Sequence, residues 1–85
     1  MGSISGRVRE VVAIHGKIIE DFSKVSDSDN LYASGMTSHA SVNVMLALEN
    51  EFDVEFLDTQ LQRSTFQSID SICHVLRELG IVDSE

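Results

Sequence analysis

The sequence predicts an all-α fold, a four-helix bundle of three main helices and one short one, with a long loop between the first two. Two observations predict it. Apolar residues recur at three-to-four spacing in three separate stretches. In addition, the 85 residues contain no proline, no internal repeat and no low-complexity linker, so residues 1–85 read as one domain. The alternating run Phe52-Asp53-Val54-Glu55-Phe56 has the period of a strand. A lone strand would have no partner, so it is not assigned as one.

The first helix is expected from about Ile4 to Phe22, despite Gly16, on Ile4, Val8, Val11, Val12, Ile18, Ile19 and Phe22. Ser23 to Gly35 is rich in Ser, Asp and Asn and reads as a loop, anchored on the core by Leu31 and Tyr32. The second helix begins at Thr37 or Ser38 and runs to about Glu51. Its apolar stripe is read as Val42, Met45, Leu46 and Phe52, widened by Leu48, with Thr37 as N-cap. Asp58 to Gln62 has room for one or two helical turns. Ser64-Thr65-Phe66-Gln67 matches a capping box and introduces the last helix, with Phe66, Ile69, Ile72, Cys73, Leu76 and Leu79 on its apolar side. Gly80 stands where a helix-ending glycine belongs.

Composition excludes several function classes. Fourteen acidic residues against six Lys plus Arg give a formal charge of −8, which argues against a nucleic-acid partner, since phosphate contacts need clustered cations. The same charge suits docking on basic surfaces of other proteins, as a monomer. No apolar run is long enough to span a bilayer, and the opening Met1-Gly2-Ser3 does not begin a signal peptide. The single cysteine, Cys73, fits a reducing, cytoplasmic setting and a buried apolar role.

Enzymatic chemistry finds no support. Ser38 and His39 are helix neighbours, so their side chains point about 100° apart and form no nucleophile–base pair. Cys73 and His74 fail for the same reason. His15, His39 and His74 are scattered, without a metal-ligand spacing. Asp27-Ser28-Asp29-Asn30-Leu31 starts like a calcium loop, but Tyr32 stands where glycine is needed and Ser38 where a bidentate glutamate belongs.

The stretch Gly35-Met36-Thr37-Ser38, followed by Val42, Ala47-Leu48-Glu49 and Glu51-Phe52-Asp53, resembles the centre of an acyl carrier protein. The likeness runs through nearly the whole chain. It implies that a phosphopantetheinyl transferase moves a 4'-phosphopantetheine arm from coenzyme A onto Ser38, whose hydroxyl opens the second helix. The arm would then carry an acyl or aminoacyl group as a thioester. An acyl- or amino-acid-activating ligase would load it, and downstream acyl-transfer enzymes would unload it. A phosphodiester at Ser38 would lie beside unpaired N–H groups at the positive end of the helix.

The family's Asp-Ser-Leu is here Thr37-Ser38-His39, and Ala40 and Asn43 occupy places where the family usually has acids. The front of the helix thus lacks the carboxylates that ordinary fatty-acid carriers present to basic partner enzymes. A specialised carrier is expected, for an amino acid, a modified fatty acid or a polyketide-like starter. Thr37, His39, Val42, Glu49, Glu51 and Asp58 are the expected partner contacts, and His39 is also a candidate contact for the phosphate. Val42, Met45, Leu46, Phe52, Ile69 and Ile72 are the apolar candidates for sheltering cargo between the helices. The alternative is a carrier-like bundle that stays unmodified and only binds other proteins.

Overall fold

The structure, a computed structural model, describes residues 3–18 and 21–81. Three helices form its frame: α1 (Ile4–His15), α2 (Ser38–Phe52) and α3 (Ile69–Glu78). Three short 3₁₀ turns, Phe22–Lys24, Asp58–Gln60 and Arg63–Phe66, lie in the connections, and no strand occurs among the described residues. The all-α expectation therefore holds, with the short helix expected at Asp58–Gln62 appearing as a single 3₁₀ turn, Asp58–Gln60. Gln60 Oε1 accepts the Leu57 N–H at 2.8 Å and Thr65 Oγ1 donates to the Gln60 carbonyl at 2.6 Å, so local side chains take up the backbone groups that an α-helix would pair.

α1 ends earlier than its apolar periodicity suggests. Ser3 caps it, its Oγ accepting the Gly6 N–H at 3.0 Å, and Val8 and Val12 are fully buried. The helix stops at His15, and Lys17 then takes a left-handed conformation, φ 54°, which turns the chain away. Ile18 and Phe22 still pack on the core, but from a connecting segment. Apolar spacing reported their burial and not their backbone. Ile19 lies outside the described residues.

α1 packs against both α2 and α3, and the Arg63–Phe66 turn packs on α3 and α2. The core joins Val8 and Val12 of α1 to Val44 and Leu48 of α2 and Ile72 and Leu76 of α3, all essentially inaccessible to solvent. Cys73 is buried among them. Phe56 and Phe66 meet edge to face, ring centroids 5.6 Å apart, and close the end of the core beneath the two tight turns.

Polar contacts, from α1 and from within the loop, hold the long loop in shape. Arg9 donates to Asp27 Oδ1 at 2.8 Å and to the Phe22 carbonyl at 3.1 Å. Asp29 accepts the Ser26 N–H, which holds its carboxyl below its ordinary range. Asn30 Oδ1 accepts the N–H groups of Tyr32 and Ala33. The acids that looked like the start of a calcium loop are thus turn-builders, and no cluster that could hold a metal ion occurs among the described residues.

α3 starts later than its expected capping box. Ser68, not Ser64, is the N-cap, its Oγ accepting the Ser71 N–H at 3.1 Å, while Arg63–Phe66 is the 3₁₀ turn ahead of it. At the other end Gly80, φ 96°, closes a full Schellman motif. The Ile81 N–H reaches the Leu76 carbonyl, and the Gly80 N–H reaches the Arg77 carbonyl, each at 3.0 Å. A Cβ at Gly80 would meet nothing within 4 Å, so only backbone strain opposes a side chain there. Gly80→Ala should therefore destabilise the domain by about 1–2 kcal/mol in urea denaturation, whereas Gly80→Asn should cost less, because asparagine tolerates this conformation.

Candidate functional site

The tip of α2 is built by the three residues before it. Gly35, φ 119°, reverses the chain, and Met36 drops into the core at 3 % exposure. Thr37 caps the helix, its Oγ1 accepting the Ala40 N–H at 3.0 Å. Ser38 is then the first helical residue, and it is exposed. The expectations for Thr37 as cap and Ser38 at the helix start match this geometry. The first turn carries no acidic residue, so nothing opposes the positive end of the helix.

One side of the tip opens on a groove of about 300 Å³. Ser38, Ser41, Gln62 and Arg63 form its polar edge, and Tyr32, Val42, Met45, Leu61 and Phe66 its apolar walls. Ser41 Oγ donates to the Ser38 carbonyl at 2.7 Å. Arg63 Nη1 donates to Ser38 Oγ at 3.2 Å, and its guanidinium lies 3.8 Å from the centre of the Tyr32 ring. Sequence reasoning missed Arg63. It stands 25 residues from Ser38, and its place depends on two turns whose geometry leaves no periodic trace.

The face that α2 buries is not the one its spacing suggested. Ala40, Ser41, Val44, Leu48 and Phe52 face the core, whereas Val42 and Leu46 are 49 % and 54 % exposed and Met45 is half-buried. This helix is apolar nearly all round, so periodicity alone does not choose its inner side. The correction changes two expectations. Val42 and Leu46 are surface residues and not a lining between the helices, while Ile69 and Ile72 are sealed within the packed core at 0 % exposure. Ala40, standing where the family usually has an acid, is 1 % exposed, so the missing charge there follows from packing.

Among the expected partner contacts, Thr37, His39, Val42 and Asp58 are exposed. Glu49 and Glu51 also make contacts within the chain, Glu51 from an exposed position. Glu49 Oε2 accepts the Phe56 N–H at 2.9 Å, closing the segment after α2. Glu51 pairs with Arg7 at 3.1 Å, joining α2 to α1. Sequence spacing shows that an acid lies on a helix, but not that a backbone N–H seven residues later will bend round to meet it.

The residues fit a phosphopantetheine group. An exposed primary hydroxyl is available for a phosphodiester, a guanidinium and a helix N-terminus lie beside it to offset the anion, and an apolar groove adjoins it.

Comparison with known proteins points the same way. Residues 9–76 match the family model described as a phosphopantetheine attachment site. The aminoacyl carrier protein of Agrobacterium fabrum is 39 % identical over 69 residues, covering 81 % of this chain and 83 % of that protein. A chain in the crystal structure of an engineered Bradyrhizobium japonicum glycine:[carrier protein] ligase, complexed with carrier protein from Agrobacterium tumefaciens and AMP, superposes with a TM-score of 0.83 at 37 % identity. That match covers 86 % of this chain and 97 % of the other. A chain in the structure of the Bradyrhizobium japonicum ligase complexed with glycylated carrier protein gives a TM-score of 0.73 at 26 % identity, covering 85 % and 96 %.

The two kinds of carboxylate should separate on mutation. Glu49→Ala removes the acceptor of the half-buried Phe56 N–H and should destabilise the domain by about 1–3 kcal/mol. Asp58→Ala, at an exposed position, should change stability by less than about 0.5 kcal/mol. Urea midpoints of the two variants check this.

Proposed function

Since this chain belongs to the phosphopantetheine-attachment family, whose members carry groups and do not transform them, we propose that it is an aminoacyl carrier with its arm on Ser38. The placement of Ser38 carries the reading. It is an exposed hydroxyl at the first position of a capped helix, with a cation at its oxygen and no acid in its turn. When bound, the arm supplies a terminal thiol on which the cargo is held as a thioester. The protein's own residues do the rest: Met36 and Thr37 fix the helix tip, Ser38 provides the linkage, and the groove beside it gives the arm an apolar surface.

An amino acid is the cargo these features favour. The relatives named above include an aminoacyl carrier protein and carriers found with a glycine ligase. Ile69, Ile72 and Val44, which could line a channel for a longer acyl chain, are instead fully buried members of one core cluster. A charged amine is costly to bury unpaired and stays in water, which an open groove permits. A stand-alone amino acid:carrier protein ligase is the proposed loading partner, with a phosphopantetheinyl transferase before it and acyl-transfer enzymes after it. The exposed contacts Thr37, His39, Val42 and Asp58, with Leu46 one turn beyond Val42, form the face for such partners. Asp58 is the one carboxylate among these residues, and the front of α2 carries none of the acids that fatty-acid carriers present there. No helix among the described residues is long and apolar enough to cross a membrane, and residues 1–85 are proposed to act as one monomeric carrier domain in the cytoplasm.

Incubation with coenzyme A and a broad-specificity transferase should add one phosphopantetheine, seen by intact-mass measurement, and Ser38→Ala should add none. A glycine:carrier protein ligase with ATP and a panel of amino acids should then add one amino acid to the modified form only. Failure of the first step on the wild-type protein would favour the unmodified binding module. Loading with fatty acids in place of amino acids would overturn the choice of cargo.

A further inference from the structure

Among the described residues three arginines stack on aromatic rings, and two of them follow one pattern. Arg7 lies over Phe52 and pairs with Glu51, and Arg9 lies over Phe22 and pairs with Asp27. Arg63 lies over Tyr32 at 3.8 Å, but no carboxylate lies within ion-pair distance of it among the described residues. The contacts of its guanidinium are the ring and the neutral oxygen of Ser38. In a protein with fourteen acids and six Lys plus Arg, a cation aimed at a hydroxyl is conspicuous.

Tyr32 holds Arg63 at two points. Its ring supports the guanidinium, and its hydroxyl donates to the Arg63 carbonyl at 3.4 Å. Tyr32 is itself fixed through its N–H to Asn30 Oδ1 at 2.9 Å and through its neighbour Leu31, which is fully buried. The guanidinium is therefore held in place before any anion arrives, which lowers the cost of ordering it. A guanidinium has five donors in a planar fork that matches phosphate oxygens, and one neutral hydroxyl leaves most of that capacity unused. His39, the other candidate, is exposed and lies about 100° round the helix from Ser38.

We propose that Arg63, backed by Tyr32, anchors the phosphodiester on Ser38 and thereby directs the arm along the groove. The proposal rests on the reading of Ser38 given above and adds a positioning residue to it. Arg63 and Ser38 share one edge of the groove whose walls include Val42, Met45 and Leu61, so an anion held by Arg63 keeps the start of the arm at the groove's mouth. On modification Ser38 Oγ becomes the ester oxygen, and a charge-assisted contact to the non-bridging phosphate oxygens beside it replaces the neutral one at the hydroxyl.

The test uses the full chain in its modified form, made from wild-type, Arg63→Gln, Arg63→Lys and Tyr32→Leu proteins, each checked by intact mass. Phosphorus NMR should place the wild-type phosphodiester resonance away from its position in urea-unfolded protein, and nuclear Overhauser contacts should link the arm's methyl groups to Val42, Met45 or Leu61. Arg63→Gln should move the resonance to the unfolded position and abolish those contacts, although the arm is still added. Arg63→Lys, which keeps the charge without the fork, and Tyr32→Leu, which keeps the fork without its support, should each lose part of the shift. Dispersed amide spectra for all variants show that folding is intact. An arm that is added but whose phosphorus resonance and methyl contacts ignore residue 63 overturns this proposal and leaves Ser38 standing. A wild-type protein that accepts no arm overturns both.

Discussion

The burial of Leu31 is the constraint on which the rest of the molecule depends. An 85-residue chain has little core to spend on a loop, yet this loop sends its Leu31 side chain fully out of solvent. Its N–H donates to the Gln67 carbonyl at 2.7 Å, just ahead of α3, and its carbonyl accepts the Met36 N–H at 3.1 Å, just ahead of α2. One residue thus ties together the approaches to two helices. Without that tie, Tyr32 would have no fixed position beneath Arg63, and the Gly35–Met36 turn would have no reason to deliver Thr37 and Ser38 to the groove. The loop is long because it must cross the bundle, and it is ordered because it is pinned in the middle.

Electrostatics act on a finer scale than the net charge of −8 implies. Several acids serve the fold: Asp27 holds Arg9, Glu51 holds Arg7, Asp29 closes a turn and Glu49 receives a backbone N–H. The exposed ion pair between Arg7 and Glu51 contributes little by itself. What matters for the site is that α2 opens without a carboxylate and with Arg63 beside it. A positive spot is thereby kept inside an acidic protein, at the one oxygen where an anion is expected.

Legibility in the sequence followed the range of the interaction. The start of α2, Thr37 as its cap, Ser38 at its tip and Gly80 at the end of α3 were all readable, because each is set by residues within a few positions along the chain. The end of α1 was misjudged because Ile18 and Phe22 keep a helical spacing while lying on a connecting segment, and spacing reports burial alone. The start of α3 lies later than the sequence suggests because two serines, Ser64 and Ser68, offer competing caps, and it is Ser68 whose Oγ accepts a first-turn N–H. The inner face of α2 was invisible in a helix with apolar residues on every side. Arg63 was invisible for the most general reason: its contact with Ser38 is tertiary.

The two faces of α2 have different duties. Ala40, Val44 and Leu48 hold the bundle together, while Val42 and Leu46 look outward, half exposed, and Val42 walls the groove. Substitutions on the outer face therefore bear less on folding than those on the inner one. The surface that α2 turns to solvent can change its shape and polarity while the frame beneath it is kept.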